Sequence, residues 1–573
     1  MSFTTPTPSE PDFHATSPQP AGAQPAAATP HSPLPAQPAS AIPGAARAGS
    51  AAQRRWPALA VLCVSLLLVT LDNTILNVAL PSLVRDLQAT TTDLQWIVDA
   101  YILVFAGLLL VAGSLADRLG RKRTFLAGVC LFAAGSAWAA FSGSVHVLIA
   151  ARASMGIGAA LIMPSTLAII TDMFRDPGER QRAIGLWAAT SGLGIALGPV
   201  IGGLLLDHFW WGSVFLLNVP VAAVGIGCAI PLVPNSRNEQ AKRADLVGAT
   251  LSVAGLGLLV WAIIEAPAHG WSSARVLVSG VVGLLVLAAF VLWERRSMHP
   301  MLELRFFRRR AFSGAVTSVA FVTFGLFGTL FVLTQYLQFV LGYTPLQAGV
   351  RALPAAGAIA VVAPLSSLVL ARAGTRVTIT SALCFISGGL WLLSRTTTGS
   401  TYGDLVGALV LLGVGAGLAI PSATGSVMGS VPQRHTGVGA GTNGTFLQVG
   451  GALGVAVIGS LLITRYQGQL ANALPPQVPQ AVRDTILGSI GGAQHVAAQI
   501  GGRTGQALDQ AARSAFVDGM RIGLAAAAIV TAAAAATALV ALPVRSRASR
   551  AASNGTTGKG GVDAAPDDHQ DSR

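Results

Sequence analysis

Charged residues are scarce in this chain of 573 residues: Asp, Glu, Lys and Arg make up 11% of it, and hydrophobic residues make up 52%. So little polar surface excludes a soluble globular protein of this length and indicates a chain that lies in lipid. The net charge of +13 does not indicate a nucleic-acid partner, because the basic residues fall mainly in loops and tails and no RNA-binding motif gathers them.

Cysteine is also scarce, with four in the whole chain. All four lie inside apolar segments, at Cys63, Cys130, Cys228 and Cys384. We therefore expect neither disulfides nor a bound metal ion.

Several catalytic motifs are missing as well. The sequence has no His-Glu-x-x-His, Gly-x-Ser-x-Gly or Cys-x-x-Cys motif. Its nearest match to a phosphate loop, Gly558-Lys559-Gly560, lacks the following Ser or Thr and the preceding strand. The sequence thus predicts neither an enzyme nor a nucleotide-driven pump, and no cofactor.

What the chain does have is long apolar runs, each sufficient to cross a hydrocarbon core of about 30 Å as a helix. We predict fourteen spans, near residues 57–80, 95–115, 124–141, 146–170, 183–206, 213–233, 246–266, 274–293, 313–341, 348–371, 377–394, 402–424, 435–463 and 520–543. The polar, Pro- and Ala-rich segment 1–52 and the segment 544–573 are predicted to be disordered cytoplasmic tails. Neither tail has the composition of a soluble sensor domain.

An internal repeat organises these spans. Glycines and prolines of the first half recur about 255 residues later, which is typical of duplicated six-helix units. The matched residues are Gly156, Gly158 and Pro164 with Gly413, Gly415 and Pro421, then Gly194, Gly198 and Gly203 with Gly450, Gly454 and Gly459. We predict an all-α membrane fold with parallel six-helix bundles at 53–233 and 301–543, two inserted helices in the linker 234–300, and a long external loop at 466–519.

The distribution of basic residues predicts the orientation. Alternate loops carry most of the Lys and Arg, as in the run Arg118–Arg123, whereas the opposite short loops carry few, such as Arg85, Arg275 and Arg395. By the positive-inside rule, both termini are predicted to lie in the cytoplasm. We expect a multi-pass protein of the cell membrane.

Ionisable residues inside the predicted spans mark a candidate site. Asp72, Arg152 and Asp99 fall in one layer of the first bundle, and their counterparts in the second half are apolar. Such groups are costly in lipid and generally line a polar cavity, so we predict that these three residues have a function. A static buried ion pair that holds helices together is the structural alternative.

Two motifs consist of small and charged residues. The turn after the second span carries Gly113, Asp117, Arg118, Gly120 and Arg121. The fifth span carries Gly194, Gly198, Pro199, Gly202 and Gly203, and small residues four apart let helices approach closely.

These motifs, with the runs Leu71-Asp72-Asn73-Thr74 and Trp96-Ile-Val-Asp99-Ala-Tyr101, resemble the major facilitator superfamily, and within it the fourteen-helix EmrB/QacA-type drug:proton antiporters. The resemblance implies that Asp72 and Arg152 couple transport to protons, and Asp99 of the same layer is our third candidate for proton coupling. The turn at Gly113–Arg121 is implied to switch conformation. The resemblance also implies that the glycines of the fifth span, with Pro199, form the motif that marks antiporters.

The predicted function is therefore proton-coupled export of small amphipathic or cationic compounds by alternating access, with a small-molecule substrate, protons and the lipid bilayer as partners, and a monomer as the working unit. An importer or uniporter of a small metabolite, or a dedicated exporter of amino acids or lipid precursors, is the alternative. Candidate residues of the substrate cavity are polar or aromatic: Asn73, Asn77, Tyr101, Phe324, Phe327, Phe331, Gln335, Tyr336 and Gln338.

Overall fold

The computed structural model describes residues 43–237, 244–298, 300–431 and 436–542. The predicted tail 544–573 and most of the predicted tail 1–52 lie outside these residues. The first helix begins at Pro43, inside the segment predicted to be disordered, so that prediction is wrong for residues 43–52.

The described chain is built from helices because a backbone in lipid must satisfy its hydrogen bonds within each segment. The first half contains α1 (Pro43–Leu87), α2 (Thr91–Leu119), α3 (Arg121–Ala140), α4 (Val145–Met173), α5 (Pro177–His208), α6 (Ser213–Leu216) and α7 (Asn218–Leu232). The inserted pair is α8 (Leu246–His269) and α9 (Ala274–Arg296). The second half contains α10 (Arg310–Gln335), α11 (Pro345–Arg351), α12 (Leu353–Leu393), α13 (Tyr402–Ser430), α14 (Thr436–Ala473), α15 (Gln480–Gly488), α16 (Ile490–Ile500) and α17 (Gly502–Ala541).

Thirteen continuous helices of the described chain are long and apolar enough to cross a membrane. One of them, Pro345–Leu393, turns sharply at Gly374 and contains two spans, which gives the fourteen that the sequence predicts. Gly374 has φ 78° and Gly120, between α2 and α3, has φ 105°. Side chains with a Cβ rarely adopt this region, so glycine makes both turns possible.

The turns at Gly120 and Gly374 define one end of the bundle, here called the hinge end; the opposite end, where α1 and α5 finish, is called the far end. The predicted duplication is visible at the hinge end. In the first half Lys122 Nζ donates to the carbonyl of Ile230 at the end of α7 (2.6 Å). In the second half Arg376 Nε donates to the carbonyl of Leu542 at the end of α17 (2.8 Å). A cation thus caps the last helix of each half.

The two halves meet along two helix pairs, α2 with α14 and α5 with α11. Near the far end, Gln95 Nε2 of α2 donates to the carbonyls of Val455 (3.1 Å) and Ala456 (2.9 Å) on α14. On the other side, Asp207 at the end of α5 accepts from the hydroxyl of Thr344 (3.2 Å). The far end is therefore closed by polar contacts between the halves.

The inserted helices pack against each other, and α8 also packs on α2 and α14. Trp96 of α2 donates from Nε1 to Glu265 of α8 (3.0 Å), and Trp271, just after α8, donates to Thr464 of α14 (3.2 Å). The inserted pair therefore contacts both halves on one side of the bundle.

The prediction of a long loop at 466–519 is wrong, because most of that segment is helical. α14 continues to Ala473, α15 and α16 follow, and α17 already begins at Gly502. The two short helices bury one face each, with Ile486 and Val496 inside, and Gln494 donates to the carbonyl of Phe339 (2.9 Å). Short amphipathic helices lack the continuous apolar run by which spans are recognised.

Candidate functional site

A buried ion pair lies at the centre of the first half. Arg152 of α4 donates from Nη1 to Oδ2 of Asp72 on α1 at 2.5 Å, and the two side chains are 1% and 0% exposed. Arg152 Nε donates to the carbonyl of Ile97 on α2 (3.2 Å). The pair thus links three helices of one half through a single guanidinium.

Two further polar residues complete this network. Asn218, the first residue of α7, donates from Nδ2 to Oδ1 of Asp72 (3.1 Å) and lies 3.0 Å from the hydroxyl of Ser136 on α3. Both oxygens of Asp72 therefore have partners, as buried charges generally require. Five helices of the first half contribute a group to this site.

Aromatic rings surround the guanidinium. The Cζ atom of Arg152 lies 4.3 Å from the ring centroid of Tyr101 and 5.9 Å from that of Phe215. Cation–π contacts at these distances stabilise the guanidinium when it is removed from water. Arg152 therefore keeps favourable contacts that do not depend on Asp72.

Asp99 is separate from this network. It is 0% exposed, and neither carboxylate oxygen has a hydrogen-bond partner in the described chain. Asp99 lies four residues after Gln95 on α2, so it shares the helix face that meets α14. The structure thus brings together two of the three predicted coupling residues and buries the third near the boundary between the halves.

The predicted cavity residues have diverse environments. Asn73 and Phe327 are partly exposed, whereas Asn77, Gln335, Phe324 and Phe331 are buried. Asn77 and Gln335 each donate to a carbonyl of their own helix, that of Asn73 (3.1 Å) and that of Phe331 (2.9 Å).

Three other candidates have specific partners elsewhere. Tyr101 lies against Arg152, and Gln338 donates to the carbonyl of Val78 on α1 (3.0 Å), a contact between the halves. Tyr336 donates to the carbonyl of Thr397 within the second half (2.8 Å).

The glycines of α5 form a close seam with α1. A Cβ on Gly198 would lie 3.0 Å from Cβ of Thr74 and 3.2 Å from N of Ile75, and one on Gly202 would lie 2.6 Å from Cγ1 of Ile75. Gly194 makes the same kind of approach to Thr70. Small residues at this spacing are therefore required for the two backbones to approach.

The seam also reaches the second half. A Cβ on Gly203 would lie 2.5 Å from Cα of Leu346 on α11, and Gly349 of α11 approaches the carbonyl of Pro199. In the second half, Gly450 and Gly454 of α14 approach α10 in the way that Gly194 and Gly198 approach α1. The glycine seam is thus duplicated.

The charged turn at the hinge end is held within the first half. Arg121 Nε lies 2.9 Å from Oδ1 of Asp117, and Arg121 Nη1 lies 3.3 Å from the carbonyl of Ala168 on α4. The backbone N–H of Arg121 donates to the carbonyl of Ser236, after α7 (2.9 Å). The turn therefore connects the hinge-end parts of α2, α3, α4 and α7. Gly113 itself packs beside Pro164 of α4, whose Cβ lies 3.7 Å from the position of an added Cβ.

Sequence reasoning missed Asn218 and Ser136 as members of the site. Asn218 is a polar residue inside the apolar run 213–233 and stands two residues before Pro220. That position was the available signal for Asn218, whereas nothing in the sequence around Ser136 distinguishes it.

A family comparison decides the classification. The model for the Major Facilitator Superfamily matches residues 62–455. The chain belongs to this superfamily. The helical architecture of the described residues, with fourteen spans in duplicated halves, agrees with that assignment, and the superfamily consists of transporters rather than enzymes.

Relatives within the superfamily are resistance and efflux proteins. The chain is 35% identical over 492 residues to the tetracenomycin C resistance and export protein of Streptomyces glaucescens, covering 85% of this chain and 91% of that protein. It is 36% identical over 490 residues to the multidrug efflux pump LfrA of Mycolicibacterium smegmatis, covering 84% and 95%. It is 38% identical over 413 residues to the puromycin resistance protein pur8 of Streptomyces alboniger, covering 71% and 82%.

Solved structures of two other transporters share the fold. A bacterial homologue of the human lysosomal transporter Spinster, in an inward-facing and unoccupied conformation, matches with a TM-score of 0.60 and 18% identity, covering 85% of this chain and 97% of that one. A peptide transporter crystallised with sulfate matches with a TM-score of 0.57 and 15% identity, covering 85% and 95%. At these identities the likeness concerns the fold alone.

Proposed function

We propose that this major facilitator protein exports small cationic or amphipathic compounds from the cell in exchange for protons. The buried pair of Asp72 and Arg152 carries the proposal, because it is the one ion pair in the described chain with both side chains almost fully buried. The relatives named as resistance, export and efflux proteins support outward transport of drugs or antibiotics.

The exchange uses the two sides of α1. Asp72 on one face pairs with Arg152, and Thr74 two residues later lies in the glycine seam with α5 and donates to the carbonyl of Gly194 (3.2 Å). Protonation of Asp72 removes the charge that attracts Arg152, so α1 loses its contact with α4. The loss of charge on Asp72 is thereby transmitted through α1 to α5, the helix that packs on α11 of the second half.

A cationic substrate competes for the same carboxylate. When Asp72 is charged it attracts either Arg152 or a cation in the cavity, and when it is protonated it attracts neither. Arg152 also contacts the Ile97 carbonyl and the Tyr101 ring, and in this proposal it keeps both contacts during either event. Proton and substrate occupancy are therefore mutually exclusive at one carboxylate, which is the requirement for antiport.

The free energy available is sufficient for concentrative export. One pH unit supplies about 1.4 kcal/mol per proton and a membrane potential of 100 mV about 2.3 kcal/mol per charge. In this proposal the hinge end faces the cytoplasm, as the basic loops predict, and one chain is a complete transporter. Asp117 and Arg121, which now hold the first half together, rearrange when the hinge end closes.

Transport in reconstituted vesicles tests the proposal. The full chain is incorporated into proteoliposomes with an imposed pH gradient, and internal pH is followed while cationic, zwitterionic and anionic compounds are added. We expect substrate-dependent proton flux with the cationic class, absent with Asp72→Asn. Accumulation of a compound without any effect of the pH gradient would instead identify a uniporter and contradict antiport.

Asp99→Asn is the matched comparison in the same assay. It removes a second buried carboxylate that has no partner in the described chain. If Asp99 takes part in coupling, this variant lowers the number of protons exchanged per substrate. Equal proton stoichiometry in the wild type and the variant would exclude Asp99 from the coupling machinery.

A further inference from the structure

A cavity of about 350 Å³ opens at the hinge end of the second half, between the start of α10 and the end of α17. It is far from the Asp72 network, which belongs entirely to the first half. Its lining consists of Phe307, Arg310, Ser313, Gly314, Val540 and Ala541. Small and apolar groups therefore form most of the wall, and Arg310 supplies a charge.

The four arginines between residues 305 and 310 differ in their partners. Arg305 pairs with Glu303 (2.7 Å), and Arg309 donates to the carbonyl of Ser430 at the end of α13. Arg308 and Arg310 are exposed, and no carboxylate of the described chain lies within ion-pair distance of either. Arg310 thus places an uncompensated positive charge in the wall of the cavity, and Arg308 stands two residues before it in the chain.

The opposite wall does not neutralise them. The last turn of α17 would present the negative end of a helix dipole to the cavity. Arg376 already donates to the carbonyls at this helix end, at 2.8 Å to Leu542 and 3.3 Å to Val540, and so offsets that negative charge. The field in the cavity is therefore positive. An occupant with complementary charge must be an anion.

We propose that this cavity binds an anionic phospholipid of the surrounding bilayer. The phosphate lies against Arg310, with Arg308 two residues away in the chain, and an acyl chain runs along Val540, whose side chain is 77% exposed at the hinge end of α17. Basic pockets between membrane helices are typical sites for anionic head groups. A volume of about 350 Å³ lies at the lower end of the range for ligand pockets, which suits a head group whose acyl chains remain outside.

The apolar wall distinguishes this occupant from free phosphate. A small soluble anion would need hydrogen-bond donors on several sides, whereas Phe307, Gly314 and Val540 provide none from their side chains. The site does not depend on the transported compound, so it stands independently of the proposed export activity.

Lipid binding by the purified full chain tests the proposal. The protein is exchanged into detergent, titrated separately with phosphatidylglycerol, phosphatidylcholine and inorganic phosphate, and bound lipid is counted by native mass spectrometry. We expect retention of phosphatidylglycerol over phosphatidylcholine, and no protection of the site by phosphate. Arg310→Gln with Arg308→Gln should weaken retention by about five-fold per arginine removed.

Two further variants make the result specific. Arg182→Gln removes an exposed arginine at the hinge-end start of α5, remote from the cavity, and should leave retention unchanged. Val540→Trp keeps every charge but fills the exposed wall, and should lower retention as well. The proposal would be overturned if Arg182→Gln lost as much phosphatidylglycerol as the cavity variant, or if Val540→Trp retained all of it. Binding of phosphatidylcholine as strong as that of phosphatidylglycerol, or competition by inorganic phosphate, would overturn it as well.

Discussion

Asn218 and Arg152 bind different oxygens of the Asp72 carboxylate, Asn218 at 3.1 Å on Oδ1 and Arg152 at 2.5 Å on Oδ2. A buried charge with all its partners in place is sensitive to the loss of any one of them. We expect Asp72→Asn and Arg152→Met, each alone, to lower the free energy of unfolding by about 3–5 kcal/mol, because each leaves a buried charge without its counter-ion. Unfolding in detergent measures this loss, and an unchanged stability in either single variant would contradict it.

The double variant Asp72→Leu with Arg152→Met separates structure from transport. Replacing both charges by apolar groups of similar volume is often neutral or stabilising, by about 1–4 kcal/mol. We expect the double variant to regain the stability that the single variants lose, yet to show no substrate-dependent proton flux. Wild-type flux in this stable protein would mean that the pair is only a structural connection.

Asn218 should affect stability without removing the ion pair. Asn218→Ala leaves Oδ1 of Asp72 buried without a donor, which costs about 1–3 kcal/mol. The matched control is Asn73→Ala, since Asn73 is partly exposed and its side chain has no hydrogen-bond partner in the described chain. Detergent melting of both variants measures the difference, and equal melting temperatures would argue against a contribution from Asn218.

The glycine seam predicts a contrast within one helix. Gly198→Ala places a methyl group against Thr74 and Ile75, whereas a Cβ on Gly192 would have no heavy atom within 4 Å. Overpacking costs about 1–3 kcal/mol, so Gly198→Ala should destabilise the protein or make it leak protons without substrate, while Gly192→Ala should do neither. Proton leak in vesicles and melting in detergent are measured together. A tightly coupled, stable Gly198→Ala protein would exclude the seam from the mechanism.

The hinge turn should control rate more than affinity. The Asp117–Arg121 pair is partly exposed, so Asp117→Asn should change stability by less than about 1 kcal/mol. Since the proposed mechanism has this pair rearrange when the hinge end closes, we expect slower turnover with unchanged substrate affinity. Transport rate and equilibrium binding are measured on the same preparation, and weakened binding at normal turnover would contradict a switching role.

Features with a strong local signal could be predicted from the sequence. Asp72 and Arg152 stand out because charges are rare in apolar runs, and their pairing follows from their common depth. Gly120 and Gly374 could be predicted as turns, since each glycine lies among basic residues between two apolar segments. The duplication was recognisable because three glycines of the fifth span recur at a constant separation in the second half. They are Gly194, Gly198 and Gly203, matched by Gly450, Gly454 and Gly459.

Features that depend on how helices are rotated could not be predicted. Tyr336 and Gln338 are two residues apart, yet Tyr336 bonds within the second half and Gln338 crosses to Val78 of the first. A local π-helical turn at Tyr336–Val340 alters the rotation of these residues. Hydropathy carries no information on that rotation, and it also missed α15 and α16, whose apolar faces are too short to resemble a span.

The position of α8 has a consequence for compounds dissolved in the bilayer. A transporter of two halves has two lateral openings through which a hydrophobic molecule can pass between lipid and the interior. Here α8 covers the one between α2 and α14, with Trp96 and Trp271 joined to partners across it. If the proposed export takes its cargo from the membrane, we therefore expect that cargo to approach on the side of α5 and α12.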